Sequence, residues 1–224
     1  MFWVLGYLSY QHLSQMMYNF GGYEMEITSY TMLLVCKLSS LAYCYKDGGT
    51  DSAKLNQDQR DRIVSSLPTP LELASYVWYS QASALGVFFE FSDYKRWIER
   101  KGEYANTPSP ILPSLKWLAI ALLCLAVYTV ANAHFYVEYC WSKEYDSDCS
   151  FGYRIFYYYI AMTIKRFFYY NAFCMSTGAV VASGLGYNGK KNTGEDQWDK
   201  IVSVYIWEVE TSASPIEMLR FWNH

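Results

Sequence analysis

The sequence predicts an all-α fold: a polytopic transmembrane helical bundle with about five or six membrane helices and shorter interfacial helices. Three long stretches carry no Asp, Glu, Lys or Arg, namely Met1–Tyr23, Trp117–Val137 and Phe167–Gly189. Each is long enough to cross a hydrocarbon core as a helix, which takes roughly 20 apolar residues. Soluble domains seldom run that far without a charge, so these stretches predict a chain embedded in lipid.

The composition of the chain supports the membrane prediction. There are 23 Tyr, 8 Trp and 12 Phe residues, and such rings concentrate where a bilayer meets water. Charged residues make up 17% of the chain, against about 25% in ordinary soluble domains. The net charge of -3 provides no basic surface for nucleic acid. Membrane lipids are therefore the predicted surroundings, and nucleic acid is not a predicted partner.

Six apolar elements are predicted along the chain. They are Met1–Tyr18, Ile27–Tyr45, Leu71–Phe91, Leu115–Val137, Tyr153–Phe168 and Asn171–Tyr187. Between them, Thr50–Ser66 and Glu138–Ser150 are polar and predicted to face water. Glu90–Tyr104 is amphipathic, which predicts a helix lying in the headgroup plane. Near the end of the chain, Ser214, Pro215 and Glu217 form the start signal of a further helix.

A glycine motif follows the last long apolar element. Gly184–Gly189 matches G-x-G-x-x-G, which binds dinucleotides when a strand precedes it and a helix follows it. A long apolar segment precedes the motif here, and a polar run follows it. The context favours a turn at the membrane surface over a dinucleotide site.

Histidines and cysteines give no metal motif. His12, His134 and His224 are scattered, and His134 with Glu138 lacks a third ligand, so no metal site is predicted. None of the six cysteines is in C-x-x-C spacing. Cys140 and Cys149 flank a polar loop, and both the paired and the free states of these two thiols remain open.

Lys37 interrupts the second apolar element about ten residues from either end. A charged group at that depth is costly and usually faces a bundle interior or a water-filled cavity. One hypothesis is that Lys37 orders the bundle. The alternative is a direct part in chemistry or in a transport path. Glu72 and Asn171 allow the same two hypotheses, and the structural role is favoured for each.

Four segments in order resemble the membrane-bound O-acyltransferase family, in particular its lysophospholipid acyltransferase branch. They are "MLLVCKLSSLAYCYKDG" (Met32–Gly48), "LPTPLELASYVWYSQASALGVFFEFSDYKRWI" (Leu67–Ile98), "GAVVASGLGYNG" (Gly178–Gly189) and "WDKIVSVYIWEVETSASPIEMLRFWN" (Trp198–Asn223). Each segment alone is a weak signal. Four in the family's order, with apolar stretches between them, form a specific match over most of the chain.

The resemblance implies transfer of a fatty acyl group from acyl-CoA to a lysophospholipid hydroxyl, by a multi-pass protein of the endoplasmic reticulum. Acyl-CoA is then a co-substrate, and no cofactor is expected. The family attributes its chemistry to an Asn or Asp after Trp, matched here by Asn223 after Trp222, and to a His in a Trp-His-Gly motif. That motif is not found in the chain, and His224 does not fit it. The candidate catalytic residue is therefore Asn223, and the candidate substrate-binding residues are Lys37, Glu90 and Trp222.

Both ends of the sequence look cut. We therefore expect residues 1–224 to be a single, partial domain of the family, without the region that carries the catalytic His, and inactive by itself. The chain also departs from the family pattern at Gln81, and at Val87, which follows Gly86 where Gly-Pro is usual. The alternative is a non-catalytic polytopic membrane protein, such as a degenerate relative, a scaffold or a transporter segment.

Overall fold

The computed structural model describes residues 2–20, 28–79 and 87–222. The α-helices in this part of the chain are α1 (Phe2–Tyr18), α2 (Thr28–Gly48), α3 (Gln57–Arg62), α4 (Pro70–Val77), α5 (Phe91–Ile98), α6 (Ile111–Asn132), α7 (Lys143–Asp148), α8 (Phe151–Ala182), α9 (Ile206–Thr211) and α10 (Pro215–Phe221). Short 3-10 helices cover Ser52–Lys54, Gly102–Asn106 and Val137–Trp141. Over the described residues the structure contains no β-strand, so the predicted all-α class is confirmed.

One described helix, α6, is long and apolar enough to cross a membrane. Only 11% of its most apolar window is buried within the protein. The core helix of a soluble protein would be mostly buried, whereas here Leu112, Leu123 and Val130 are exposed. This exposure fits a helix that faces lipid, and α6 overlaps the predicted charge-free stretch Trp117–Val137. The predicted total of five or six spans stays a prediction.

Two predicted elements differ from the structure. Among its described residues, the predicted element Leu71–Phe91 is helical over α4, whereas Val87–Glu90 is non-helical before α5 begins. In that stretch the carbonyl of Phe89 accepts a hydrogen bond from the hydroxyl of Tyr76 (2.8 Å). The predicted Tyr153–Phe168 and Asn171–Tyr187 are one helix, α8, of 32 residues. Lys165 and Arg166 do not break it, because long cationic side chains are good helix formers.

The chain divides into two compact units, and the division falls inside α8. The first unit comprises Met1–Pro110 and Val180–Ile201, and the second comprises Ile111–Ala179 and Val202–His224. The prediction of a single domain is not tested by this division and stays a prediction.

The core of the first unit is built around the fully buried ring of Tyr76. Phe89 and Phe91 pack edge-on against it, with ring centroids 5.4 and 5.3 Å away. Helix α4 carries Tyr76 and begins at a capping box, in which Thr69 accepts from the N–H of Glu72 and Glu72 accepts from the N–H of Thr69. Pro70 occupies the first helical turn, where its missing N–H costs nothing. The cap therefore fixes where the central aromatic ring enters the core.

The core of the second unit lies between α6, α8 and the segment after residue 201. Tyr170 and Cys174 on α8 are fully buried, together with Ala121 and Cys124 on α6. Gly178 brings the two helices close, because a Cβ there would lie 3.2 Å from the Cβ of Trp117. A smaller cluster around Tyr145 and Tyr157 covers the end of α8 that follows α7.

The predicted helix start at residues 214–217 is confirmed. The hydroxyl of Ser214 accepts from the backbone N–H of Glu217 (3.2 Å), and Pro215 is the first residue of α10. The carboxylate of Glu217 accepts from the N–H of Ala213 (3.1 Å). Helix α10 ends at Phe221, and its position decides where the candidate catalytic segment begins.

Candidate active site

Trp222 is held firmly within the second unit. Its indole packs against Tyr169, Tyr170 and Phe173 of α8, at centroid distances of 6.0, 5.7 and 5.4 Å. Its backbone N–H donates to the carbonyl of Met218 (3.0 Å), which closes the last turn of α10. Trp222 also forms an isolated antiparallel bridge with Val204. The backbone just before residue 223 is thus fixed by ring contacts and by hydrogen bonds.

A charge network lies next to these ring contacts of Trp222. Arg166 donates from Nε and Nη2 to the two carboxylate oxygens of Glu210, at 2.9 and 2.8 Å. The hydroxyl of Tyr170 donates to the same carboxylate at 2.6 Å. Such two-pronged pairing is the strongest geometry that arginine offers a carboxylate. Because the ring of Tyr170 also contacts Trp222, Tyr170 links the ion pair to the tryptophan.

Glu210 remains ionised in this network. Partial burial favours the neutral carboxyl, but the donors on Arg166 and Tyr170 outweigh it and hold the pKa of Glu210 below its ordinary value. The site therefore keeps a negative charge on α9 at physiological pH. Both partners of this carboxylate are on α8, so the network ties α9 to α8. Helix α10 follows α9 directly in the chain.

Asn223, the candidate catalytic residue, lies outside the described residues. Its role stays a prediction, and the structure establishes only the position of its predecessor. The prediction at Gln81 and Gly86 also lies outside the described part of the chain, whereas Val87 is buried in the core of the first unit.

Lys37, a candidate substrate-binding residue, is enclosed in the first unit with 1% of its surface exposed. Its ammonium donates to the backbone carbonyl of Tyr76 (3.1 Å). The Nζ atom also lies 5.0 Å from the ring centroid of Tyr76 and 4.3 Å from that of Phe89, in cation–π contact. Within the described ranges, no carboxylate lies within 4 Å of it. These contacts support the structural hypothesis, in which Lys37 joins α2 to the start of the Phe89 segment.

Glu90, the next candidate, lies in the first unit beside Phe89. Its carboxylate accepts from the hydroxyl of Ser40, which is one helical turn beyond Lys37 on α2. Arg62 of α3 pairs with it at 3.4 Å. Lys37 and Glu90 are thus brought together around residues 89–90, and both tie α2 to that segment. Trp222 belongs to the other unit, so the three substrate-binding candidates do not form one cluster within a unit.

The glycine motif forms the predicted turn. Gly184 and Gly189 have positive φ angles of 89° and 78°, which glycine adopts without strain. The described residues that follow, up to Tyr205, contain no helix, and so the requirement for dinucleotide binding is not met. In the part of the chain that the structure describes, no three His, Cys, Asp or Glu side chains are grouped to hold a metal ion.

Sequence reasoning missed the network of Arg166, Tyr170 and Glu210. A signal was present, because Lys165 and Arg166 are charges inside an otherwise apolar run, and such charges need partners. Nothing in the sequence identified Glu210 as the partner, since 44 residues separate it from Arg166.

Comparison with known proteins identifies the family of this chain. The model of the membrane-bound O-acyltransferase family matches residues 6–224. The chain belongs to the membrane-bound O-acyltransferase family. The resemblance predicted from four segments is confirmed, and the family is one of membrane-bound proteins.

Several curated relatives align with nearly the whole chain. The lysophospholipid acyltransferase of Saccharomyces cerevisiae is 30% identical over 98% of this chain and 39% of its own length. Lysophospholipid acyltransferase 6 of Drosophila melanogaster is 26% identical over 98% of this chain and 33% of its own length. For human lysophospholipid acyltransferase 5 the identity is 29%, over 86% of this chain and 40% of the human protein. The chain therefore spans about two fifths or less of the length of these relatives.

Proposed function

We propose that the full-length protein is an acyl-CoA-dependent lysophospholipid O-acyltransferase. Family membership supports an O-acyl transfer, and the names of the relatives suggest the lysophospholipid acceptor. The observation that carries the proposal is the packing of Trp222 against α8. The Trp-Asn pair is the family's catalytic signature, and here its tryptophan is held by three rings of α8.

The reaction requires a hydroxyl to attack a thioester. The hydroxyl oxygen of the lysophospholipid bonds to the acyl carbonyl carbon, the carbon–sulfur bond breaks, and the CoA thiol takes the proton. A base must accept the hydroxyl proton as the new bond forms, and the family resemblance assigns this step to the histidine of the Trp-His-Gly motif. We propose that the carboxamide of Asn223 donates a hydrogen bond to the thioester oxygen, where negative charge develops.

We propose a multi-pass arrangement in the endoplasmic reticulum membrane. Besides α6, helix α8 exposes a broad set of apolar side chains that water would not favour. They are Phe151, Ile155, Phe156, Tyr158, Tyr159 and Phe168. A bilayer setting also suits the chemistry, because acyl tails can enter from lipid while CoA approaches from water.

Acyl transfer in microsomes tests the proposed function. Microsomes containing the full-length protein receive radiolabelled oleoyl-CoA and lysophosphatidylcholine, and labelled phosphatidylcholine is measured. The matched control is an acceptor whose free hydroxyl is replaced by hydrogen. We expect label in phosphatidylcholine with the first acceptor and none with the control. Absence of product with a panel of lysophospholipid head groups would contradict the proposal and favour a non-catalytic relative.

A further inference from the structure

A cavity of about 360 Å³ lies in the first unit, where α5 ends and the glycine turn passes. That volume is in the range of small-ligand sites, which begin at roughly 300 Å³. Its wall consists of aromatic, polar and cationic groups. The lining residues are Trp97, Arg100, Tyr104, Asn106, Thr107 and Ser183, with Gly184.

Arg100, the cation of this cavity, is exposed and has no ion-pair partner among the described residues. Across residues 2–20, 28–79 and 87–222, no carboxylate lies within 4 Å of the Arg100 guanidinium. The acidic residues nearest to it in sequence are already paired, since Glu99 binds Lys101 at 2.8 Å and Glu103 binds Lys200 at 3.0 Å. The guanidinium of Arg100 therefore faces solvent at the mouth of the cavity, where its five N–H donors are accessible to a ligand.

The backbone at Arg100 is in an unusual conformation. Its φ angle is +50°, in the left-handed region that non-glycine residues seldom adopt. This conformation closes the end of α5, where the N–H of Arg100 donates to the carbonyl of Trp97 (3.2 Å) and the N–H of Lys101 donates to that of Arg96 (2.9 Å). The turn directs the chain from α5 into the 3-10 helix that carries Tyr104 and Asn106.

Gly184 of the glycine motif forms part of the cavity wall. At Gly184, φ is +89°, and a Cβ would lie 3.5 Å from Nε1 of Trp97 and 3.6 Å from Cγ2 of Thr107. Both neighbours line the cavity, so a side chain at this position would extend along its wall. The indole N–H of Trp97 donates to the carbonyl of Ser183 (3.2 Å), and the hydroxyl of Tyr104 donates to that of Leu185 (3.0 Å). The turn and the wall are thus joined into one built pocket.

We propose that this cavity binds a phosphate ester, with Arg100 as the counter-ion and Asn106 as a hydrogen-bond donor. The planar guanidinium fork matches phosphate oxygens, and the polar groups around it suit a hydrated ionic group more than an acyl tail. The inference deepens the proposed function and rests on it, because lysophospholipid and CoA both carry phosphate esters. The exposed Ile98 on α5 fits a position near the headgroup plane.

Direct binding to purified full-length protein in detergent tests the pocket. The probes are CoA, which has no acyl group to transfer, and lysophosphatidylcholine. Arg100→Asn removes the charge while Asn accepts the positive φ more readily than Arg, so the variant should fold normally. Arg100→Lys keeps the charge, and Lys54→Asn is the matched control, an exposed cation elsewhere in the same unit.

We expect Arg100→Asn to weaken binding of at least one probe about tenfold, as loss of a charged hydrogen bond does. Arg100→Lys should lose less, and Lys54→Asn should stay within about twofold of the wild type. Weakened CoA binding assigns the pocket to the nucleotide phosphates, and weakened lysophosphatidylcholine binding assigns it to the headgroup.

The pocket and the proposed function fail separately. Unchanged binding of both probes in Arg100→Asn, or a wild type that binds neither, overturns the pocket. If binding falls as expected but the wild type transfers no acyl group, the pocket stands and the proposed function fails. If acyl transfer occurs while binding is unchanged, only the pocket is lost.

Discussion

Lys37 in the first unit and Glu210 in the second are both charged residues held against aromatic side chains, but their partners differ. Lys37 is 1% exposed, and its ammonium meets a carbonyl and two ring faces. The side chain of Glu210 is 32% exposed and has an arginine fork and a phenol as donors. The charge of Glu210 is thus matched, whereas Lys37 contributes largely through the volume of its stem and through weaker cation–π attraction.

A charge buried in an apolar run can therefore be stabilised by a carbonyl and ring faces as well as by an opposite charge. The sequence marked Lys37 because of its position in an apolar run. In the structure its ammonium contacts a backbone carbonyl and two aromatic rings, and its part in substrate binding stays a prediction. The matched charge lies beside Trp222, where the candidate catalytic segment begins. The following substitutions separate volume from charge at the two positions.

Truncation at Lys37 should have the largest effect. Lys37→Ala leaves a cavity under Tyr76 and should lower the free energy of unfolding by about 3 kcal/mol. Lys37→Met keeps the volume and loses only the charge and one hydrogen bond, and should cost about 1 kcal/mol. Denaturation midpoints of the purified protein in detergent measure both. Equal losses for the two variants would show that the charge, not the stem, stabilises the first unit.

Replacement of Arg166 should have the next largest effect. Arg166→Met keeps most of the volume but leaves the Glu210 carboxylate with Tyr170 as its remaining described partner, at a cost of about 1.5 kcal/mol because the pair is partly exposed. The control is Lys165→Met on the neighbouring residue, whose ammonium lies 5.4 Å from the ring of Phe168. Thermal midpoints of the two variants should differ by several degrees. Identical midpoints would remove the ion pair from the account.

The smallest expected effect is on how the thermal midpoint falls at acidic pH. The pKa of Glu210 is lowered in the folded protein, so its stabilising contribution is present above its ordinary value of 4.5 and is lost as pH falls through the folded value. Glu210→Gln should therefore flatten part of the fall in thermal midpoint below about pH 4.5. Acid curves that superimpose for the variant and the wild type would contradict the assignment. Glu72 and Glu103, whose pKa values are also lowered, should contribute to the slope that remains.

Local signals predicted local structure well. The charge-free run that became α6, the cap at Ser214 and the turn at Gly184 all depend on residues close in sequence. The length of α8 was wrong because two cations were taken as an interruption, although a helix tolerates them once a partner is present. The helical prediction was wrong at Val87–Glu90, where the hydroxyl of Tyr76 offers the Phe89 carbonyl a tertiary partner that hydropathy does not show.

The candidate site was harder to predict for the same reason. Trp222 was identified from a resemblance. Its packing against three rings of α8 depends on contacts between segments about 50 residues apart. Glu210 and Arg166 find each other only in the folded unit. Arg100 and Gly184 gave separate signals, as part of an amphipathic pattern and of a glycine motif, and only the structure brings them to one cavity.

The central proposal is that Asn223, the residue after Trp222, takes part in acyl transfer. It is tested most directly by turnover of full-length Asn223→Ala in microsomes, with Asn192→Ala, an exposed loop asparagine, as the control. The account predicts a fall in oleoyl transfer of about 100-fold or more for Asn223→Ala at equal protein level, and unchanged transfer for Asn192→Ala. Near wild-type turnover in Asn223→Ala would contradict it.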